Sequence, residues 1–250
     1  MPRGQHGSTN YHARVSERLG RTAASVLVAI ATAIVLLSVA IVPFLSPAWV
    51  SFEQDRSEAG VWTGYFPSQL RAATGAILAD LVFGPPNFDV QVNGTPVLNA
   101  RERGHMADVR RVFVGLAVSA IASAVLLVMA GRLNRARMGR SVRAGVAGLA
   151  VAVIAIGLVG AFAFDLAFEV FHRLFFAGGT YTFDPRTDRL VQLFPEQFWF
   201  ETSMAVGALV LVLCAAVWWL AGRSTGVRSR EPAAEPATAP AAPAAPEPLR

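Results

Sequence analysis

Four stretches of the chain lose nearly all polar side chains: Ala23–Phe44, Val112–Gly131, Ala144–Phe164 and Ser203–Gly222. At 1.5 Å of rise per residue, each approaches the length that crosses about 30 Å of hydrocarbon. The pattern predicts an all-α membrane protein with four transmembrane helices. Pro43 and Pro47 close the first stretch. Its length exceeds the apolar region of a cleavable signal, and no small-x-small site follows, so it reads as a retained anchor.

The connections between spans carry patterns of their own. In the long one, 45–111, Leu70, Ala73, Ile77, Leu78 and Leu81 form a helical stripe. This predicts a helix over Pro67–Phe83 that lies on the membrane surface or packs over the bundle, stopped by Gly84-Pro85-Pro86. Alternation over Phe88–Val92, then Asn93-Gly94, then Thr95–Leu98 predicts a small hairpin. Asn99 follows as an N-cap with Glu102 three residues on, the spacing of a capping box, and the helix it opens runs into the second span. The third span is expected to continue past Phe164 through Asp165, Glu169 and His172, ending near Gly178-Gly179. Gly145, Gly148, Gly157 and Gly160 on that span suit close helix packing.

Charge orients the bundle. Arg3, Arg14, Arg18 and Arg21 precede the first span. Arg132, Arg135, Arg137, Arg140 and Arg143 fill the short loop between spans two and three, and Arg223, Arg228 and Arg230 follow the fourth. The other two connections, 45–111 and 165–202, hold nine arginines against thirteen Asp and Glu. By the positive-inside rule both termini are cytoplasmic and the two acidic connections extracytoplasmic. The expected organisation is a basic tail over 1–22, a transmembrane domain over 23–222, and a disordered Ala/Pro-rich tail over 223–250.

Composition adds exclusions. Apolar residues make up 54% of the chain and charged ones 16%, so the basic net charge of +5 belongs to topology, not to nucleic acid. Cys214 is the single cysteine and lies within the fourth span, which excludes an internal disulfide. No span interior contains Asp or Glu, which argues against a channel or transporter.

Candidate chemistry gathers on the acidic side. Two of the four histidines, His6 and His12, fall in the polar N-terminal stretch. The other two, His105 and His172, sit at the extracytoplasmic ends of spans two and three. Each has a carboxylate three residues away, Asp108 and Glu169, on one helix face, where it can fix an imidazole tautomer. Asp184 and Asp188 read as turn formers. No HExxH or similar spacing supports a metal site at these groups, and no cofactor is expected.

Arg101-Glu102-Arg103-Gly104-His105-Met106-Ala107-Asp108-Val109 resembles a signature of the bacterial lipoprotein intramolecular transacylase family of four-helix membrane proteins. Phe171-His172-Arg173-Leu174-Phe175-Phe176, Phe183-Asp184-Pro185 and Leu193-Phe194-Pro195-Glu196-Gln197-Phe198-Trp199 resemble its second signature. The likeness spans about 23 to 222, with one departure at Tyr181, where Trp is expected. It implies transfer of an acyl chain from the glyceryl ester of a diacylglyceryl-cysteine to that cysteine's α-amine. The family's essential histidines map onto His105 and His172, with Asp108, Glu169 and Glu102 supporting. Amine attack on an ester needs a base and an oxyanion donor. On this reading His105 is the base, oriented by Asp108, and His172 the oxyanion stabiliser or acid, oriented by Glu169. Lipoprotein N-termini and membrane lipid are the implied partners and the bacterial cytoplasmic membrane the implied location. The alternative is a non-catalytic scaffold of the same fold, which imidazoles held far apart would favour.

Overall fold

The computed structural model describes residues 6–176 and 178–226. Helix α1 runs His6–Ile41 and a 3₁₀ turn, Val42–Leu45, follows at Pro43, where a helix must stop. Ser46 then caps α2 (Pro47–Arg56), its hydroxyl accepting from the Trp49 N–H at 3.2 Å. Next come α3 (Ala59–Thr63) and α4 (Pro67–Val82), then strands β1 (Gln91–Val92) and β2 (Thr95–Pro96). Helices α5 (Ala100–Leu133), α6 (Arg135–Phe162), α7 (Phe164–Phe175), α8 (Arg189–Leu193) and α9 (Glu196–Gly226) complete the chain.

Helices α1, α5, α6 and α9 are long and apolar enough to cross a membrane. Helix α6 packs along both α1 and α9, and α1 along α5. Their shared core is small: Leu36, Ala40, Val146, Val210 and Cys214. Val118, Ile121, Val125, Val151, Ile156 and Val212 instead stand exposed on the bundle's flanks. Such a surface is stable only against hydrocarbon. At one end of the bundle Arg143 and Arg223 lie over the rings of Trp218 and Trp219, at 4.0 and 3.6 Å, the amphipathic pairing that suits a membrane boundary.

The opposite end, the loop end, has a second and larger core. It joins Val50, Leu70, Ile77, Phe88, Val97, Leu98, Met106, Leu193 and Phe198. The α4 stripe is buried in this core, so α4 packs over the bundle and not on the membrane surface. The hairpin is shorter than its alternation suggested, with only Gln91↔Pro96 and Val92↔Thr95 paired. Asn93 and Gly94 both take positive φ, 51° and 76°, as a tight hairpin turn requires.

Two expectations need correction. Residues 6–22 are not a tail separate from the first span but the first turns of α1. Extending an existing helix avoids the nucleation penalty, and an ion pair between Glu17 and Arg21 at i, i+4 supports it. The third span does not continue unbroken: at Ala163 the backbone leaves the helical region (φ −149°, ψ 57°), and α7 then ends at Phe175. Residues 223–226 of the expected C-terminal tail extend α9, whereas 1–5 and 227–250 lie outside the described residues.

Of Gly145, Gly148, Gly157 and Gly160 on α6, Gly145 is the one the packing requires. A Cβ there would land on the backbone of Ala29, whereas at Gly148 and Gly157 it would meet nothing. Gly145→Ala should therefore separate α1 from α6 and destabilise the bundle by about 1–3 kcal/mol. Gly148→Ala should not. Thermal unfolding of the two variants in detergent distinguishes them; an equal response would contradict this packing.

Candidate active site

The start of α5 is built as its sequence predicts. The Asn99 side chain accepts from the Arg101 and Glu102 N–H groups at 2.9 and 3.0 Å, and Glu102 Oε2 accepts from the Asn99 N–H at 2.6 Å. The capping box has a further partner that spacing does not announce. Glu102 Oε1 accepts from the Leu190 N–H at 2.6 Å, which ties α5 to the segment leading into α9. Glu102 is 1% exposed.

Asp188 reinforces the junction. It accepts from Asn99 Nδ2 at 3.0 Å, Arg101 Nη2 at 2.7 Å and the Asp184 N–H at 2.8 Å. Asp184 is a turn former as expected, accepting from the Arg186 N–H. Asp188 is instead a buried anchor between two parts of the chain that are distant in sequence. Arg101, held by Asp188, also lies 5.1 Å above the Phe183 ring.

One turn beyond Glu102, His105 is buried against His172 of α7. The ring centroids are 5.9 Å apart and the planes 25° from parallel. Aromatic side chains enclose the pair. Phe176 and Phe183 lie 4.8 and 5.5 Å from His105. Phe168, Tyr181 and Phe171 lie 4.1, 5.0 and 5.4 Å from His172.

The two imidazoles are held differently. His172 Nδ1 is 2.8 Å from the Phe168 carbonyl. A carbonyl only accepts, so Nδ1 carries the proton and Nε2 presents its lone pair. Burial lowers the His172 pKa from the ordinary 6.5, opposed by the Phe168 bond and by the charge of Glu169. His105 Nδ1 is buried and has no hydrogen-bond partner among the described residues.

The carboxylates expected to orient the rings do not do so. Asp108 pairs with Arg111. Both His105 and Arg111 lie three residues from Asp108, and the charge-assisted pair prevails over a neutral ring already turned into the aromatic enclosure. Glu169 Oε1 accepts from Arg173 Nε at 2.7 Å and from the Tyr181 hydroxyl at 3.3 Å. It reaches His172 through its field, while the backbone carbonyl one turn back fixes the ring. Among the described residues no group of three or more His, Cys, Asp or Glu could hold a metal ion.

Beside the histidines is a cavity of about 340 Å³. The N-terminal turns of α7 and α9 border it with Phe164, Asp165, Phe168, Glu196 and Trp199. Trp62 of α3 and the 183–195 segment complete its walls. Phe168 and Phe183 are common to the cavity and to the enclosure of the imidazoles.

The family model for lipoprotein intramolecular transacylase Lit matches residues 24–199, which include both histidines and every residue lining the cavity. The chain belongs to the Lit family. Its fold is similar to the in meso structure of the membrane-integral Lit of Bacillus cereus, at 18% identity and a TM-score of 0.68 over 83% of this chain and 98% of that one. A form of that protein with a histidine replaced by arginine gives a TM-score of 0.69 over 88% of this chain and 99% of its own. An alanine form gives 0.68 over 86% and 99%. No curated protein sequence matches. Low identity with near-complete structural overlap shows that the Lit fold, an all-α membrane architecture, is retained here.

Spacing located the histidines and the capping box but missed Asp188, the aromatic enclosure and the Glu102–Leu190 bond. The recurrence of Phe at 164, 168, 171, 175 and 176 around His172 was the available signal for the enclosure. Glu102→Ala leaves the buried Leu190 N–H and the part-buried Asn99 N–H without their acceptor and should cost about 2–4 kcal/mol. Glu102→Gln, which keeps one amide oxygen, should cost less. Thermal unfolding measures both, and a neutral Glu102→Ala variant would remove this junction from the account.

Proposed function

We propose that this protein is a lipoprotein intramolecular transacylase of the bacterial cytoplasmic membrane, working at its extracytoplasmic face. The arginine loop at α5–α6 and the arginines flanking α1 and α9 support an orientation with both termini cytoplasmic and the loop end outside. One observation carries the chemistry. Two imidazoles face each other at 5.9 Å within an aromatic enclosure, one with its tautomer fixed. That proximity favours an enzyme over a scaffold, which has no use for such a pair.

In this reading His172 is the base and His105 the donor, the reverse of the roles that spacing suggested. With Nδ1–H bound to the Phe168 carbonyl, His172 Nε2 takes a proton from the cysteine α-amine as its nitrogen attacks the ester carbonyl. His105, whose ring is already desolvated, donates N–H to the oxyanion. The tetrahedral intermediate then collapses. The C–N amide bond is formed, the C–O ester bond breaks, and His172 returns the proton to the departing glyceryl oxygen. Donor and acceptor belong to one substrate, so no protein nucleophile is required.

His105→Ala and His172→Ala should each reduce formation of the N-acyl, S-monoacylglyceryl lipopeptide by about 10²- to 10⁴-fold. Mass spectrometry of lipoprotein N-termini from cells carrying each variant measures this; undiminished product would refute the assignment. The pH profile tests the base. An α-amine titrates near 8, so log kcat/KM should rise with slope one below that value. It should steepen to two only below the ordinary imidazole value of 6.5, because burial lowers His172. A break at or above 6.5 would exclude His172 as the base.

A further inference from the structure

The Phe168 carbonyl fixes the proton on His172 but not the plane of its ring. The torsion that turns an imidazole about its Cβ–Cγ bond is broad, and the Nδ1 bond restrains a single atom. The plane is decided by what lies against the ring. Phe168 and Phe171 belong to α7 and Phe176 is its C-cap, so these three move with the helix that carries His172. Tyr181 does not. It follows the turn at Gly179, where φ is 86°, and brings its ring back to 5.0 Å from His172 with the planes 38° apart.

Tyr181 is held at its far end as well. Its hydroxyl donates to Glu169 Oε1 at 3.3 Å, the same oxygen that accepts from Arg173 Nε at 2.7 Å. Glu169 and Arg173 flank His172 on α7, three residues before it and one after. The loop ring is thus joined to the helix twice, by packing on the imidazole and by a hydrogen bond to a carboxylate one turn back. The Glu169 and Arg173 side chains are 42% and 72% exposed, and an ion pair so exposed contributes little to stability. What it does is fix the oxygen that receives the Tyr181 hydroxyl. A ring held by packing alone can tilt against its neighbour, whereas a ring tethered at its para oxygen must break a bond to do so.

We propose that Tyr181 is a positioning residue for the acyl transfer: its hydroxyl, tied to Glu169, holds the phenol ring against His172 and keeps Nε2 aimed at the amine. The inference rests on the transacylase reading for the step that the aim serves. Tyr181 exchanges no proton with the substrate, and the base remains His172. Glu169 then acts on that ring by two routes, through its charge and through Tyr181. Misplacing a reacting group by about 1 Å can cost about 10²-fold in rate, so loosening the ring should show in turnover and not in substrate binding.

The test uses Tyr181→Phe, which keeps the ring and removes the tether, in the full chain in detergent, alone and combined with Glu169→Ala. Rates are taken per folded protein, measured by circular dichroism. Tyr181→Phe should lower kcat for the N-acyl product by about tenfold while KM stays at the wild-type value. Added to Glu169→Ala, which has already lost the tether, it should have no further effect. A wild-type kcat in Tyr181→Phe, a loss confined to KM, or the same loss on top of Glu169→Ala would overturn the proposal. Magnetic resonance of protein carrying isotope-labelled histidine reads the ring without substrate, with His172→Ala identifying its signals. Tyr181→Phe should keep the Nδ1–H tautomer but broaden or split the His172 resonances as the ring samples several orientations. Resonances identical to wild type would also overturn the proposal. Failure of the transacylase reading would appear separately, as absence of N-acyl product from the ester substrate with wild-type protein, and the spectra would still decide whether Tyr181 holds the ring.

Discussion

The loop end depends on one buried carboxylate. Glu102 closes the capping box of α5 and at the same time accepts from the backbone of Leu190, 88 residues further along the chain. An anionic oxygen buried among apolar side chains is stable only when hydrogen-bonded, and both of its oxygens are. His105 is one helical turn from this anchor. Asp188, bound to Asn99 and Arg101, repeats the connection with opposite chemistry, a carboxylate on the later segment gripping the earlier one. Phe183 and the cavity wall then take their places relative to His105. The position of the second loop is thus decided by hydrogen bonds at the start of α5, and its apolar contacts fill in afterwards.

The two cores meet different solvents and are built accordingly. In the bundle, small residues permit close contact, as at Gly145 against Ala29, and large apolar side chains point outward. At the loop end, large side chains point inward and, Glu53 Oε2 and His105 Nδ1 apart, buried polar side chains are paired internally. Gln54, for example, donates to Thr74 and to the Leu193 carbonyl, each at 2.9 Å. The break at Ala163 marks the passage between regimes. It turns α7 off the axis of α6, so that His172 faces inward while Leu166, Val170 and Leu174 remain exposed on the same short helix.

Features that depend on local periodicity were legible in the sequence: the four spans, the α4 stripe, the hairpin turn and the Asn99–Glu102 cap. The two histidines were legible because few titratable groups compete for notice at the span ends. Their partners were not. Helical spacing gives a carboxylate access to a ring, but whether contact forms depends on rival donors. Arg111 and Arg173 outbid the imidazoles for Asp108 and Glu169. The Phe168 carbonyl that holds His172 is backbone, invisible to any reading of residue types. Asp188 looked like ordinary turn chemistry because its partners lie 87 and 89 residues away. The continuation of helix through residues 6–22 was obscured by polar composition, which speaks of solvation and not of backbone conformation.

The aromatic enclosure has a consequence for competing fates of an activated ester. If His172 is the base proposed above, it would activate water as readily as an amine, and hydrolysis would waste the acyl chain. Carbon rings from Phe168, Phe171, Phe176, Tyr181 and Phe183 cover the pair, leaving little room for an ordered nucleophilic water. Chemoselectivity between aminolysis and hydrolysis is then a property of the walls, set by which nucleophile can be present when the carbonyl becomes electrophilic.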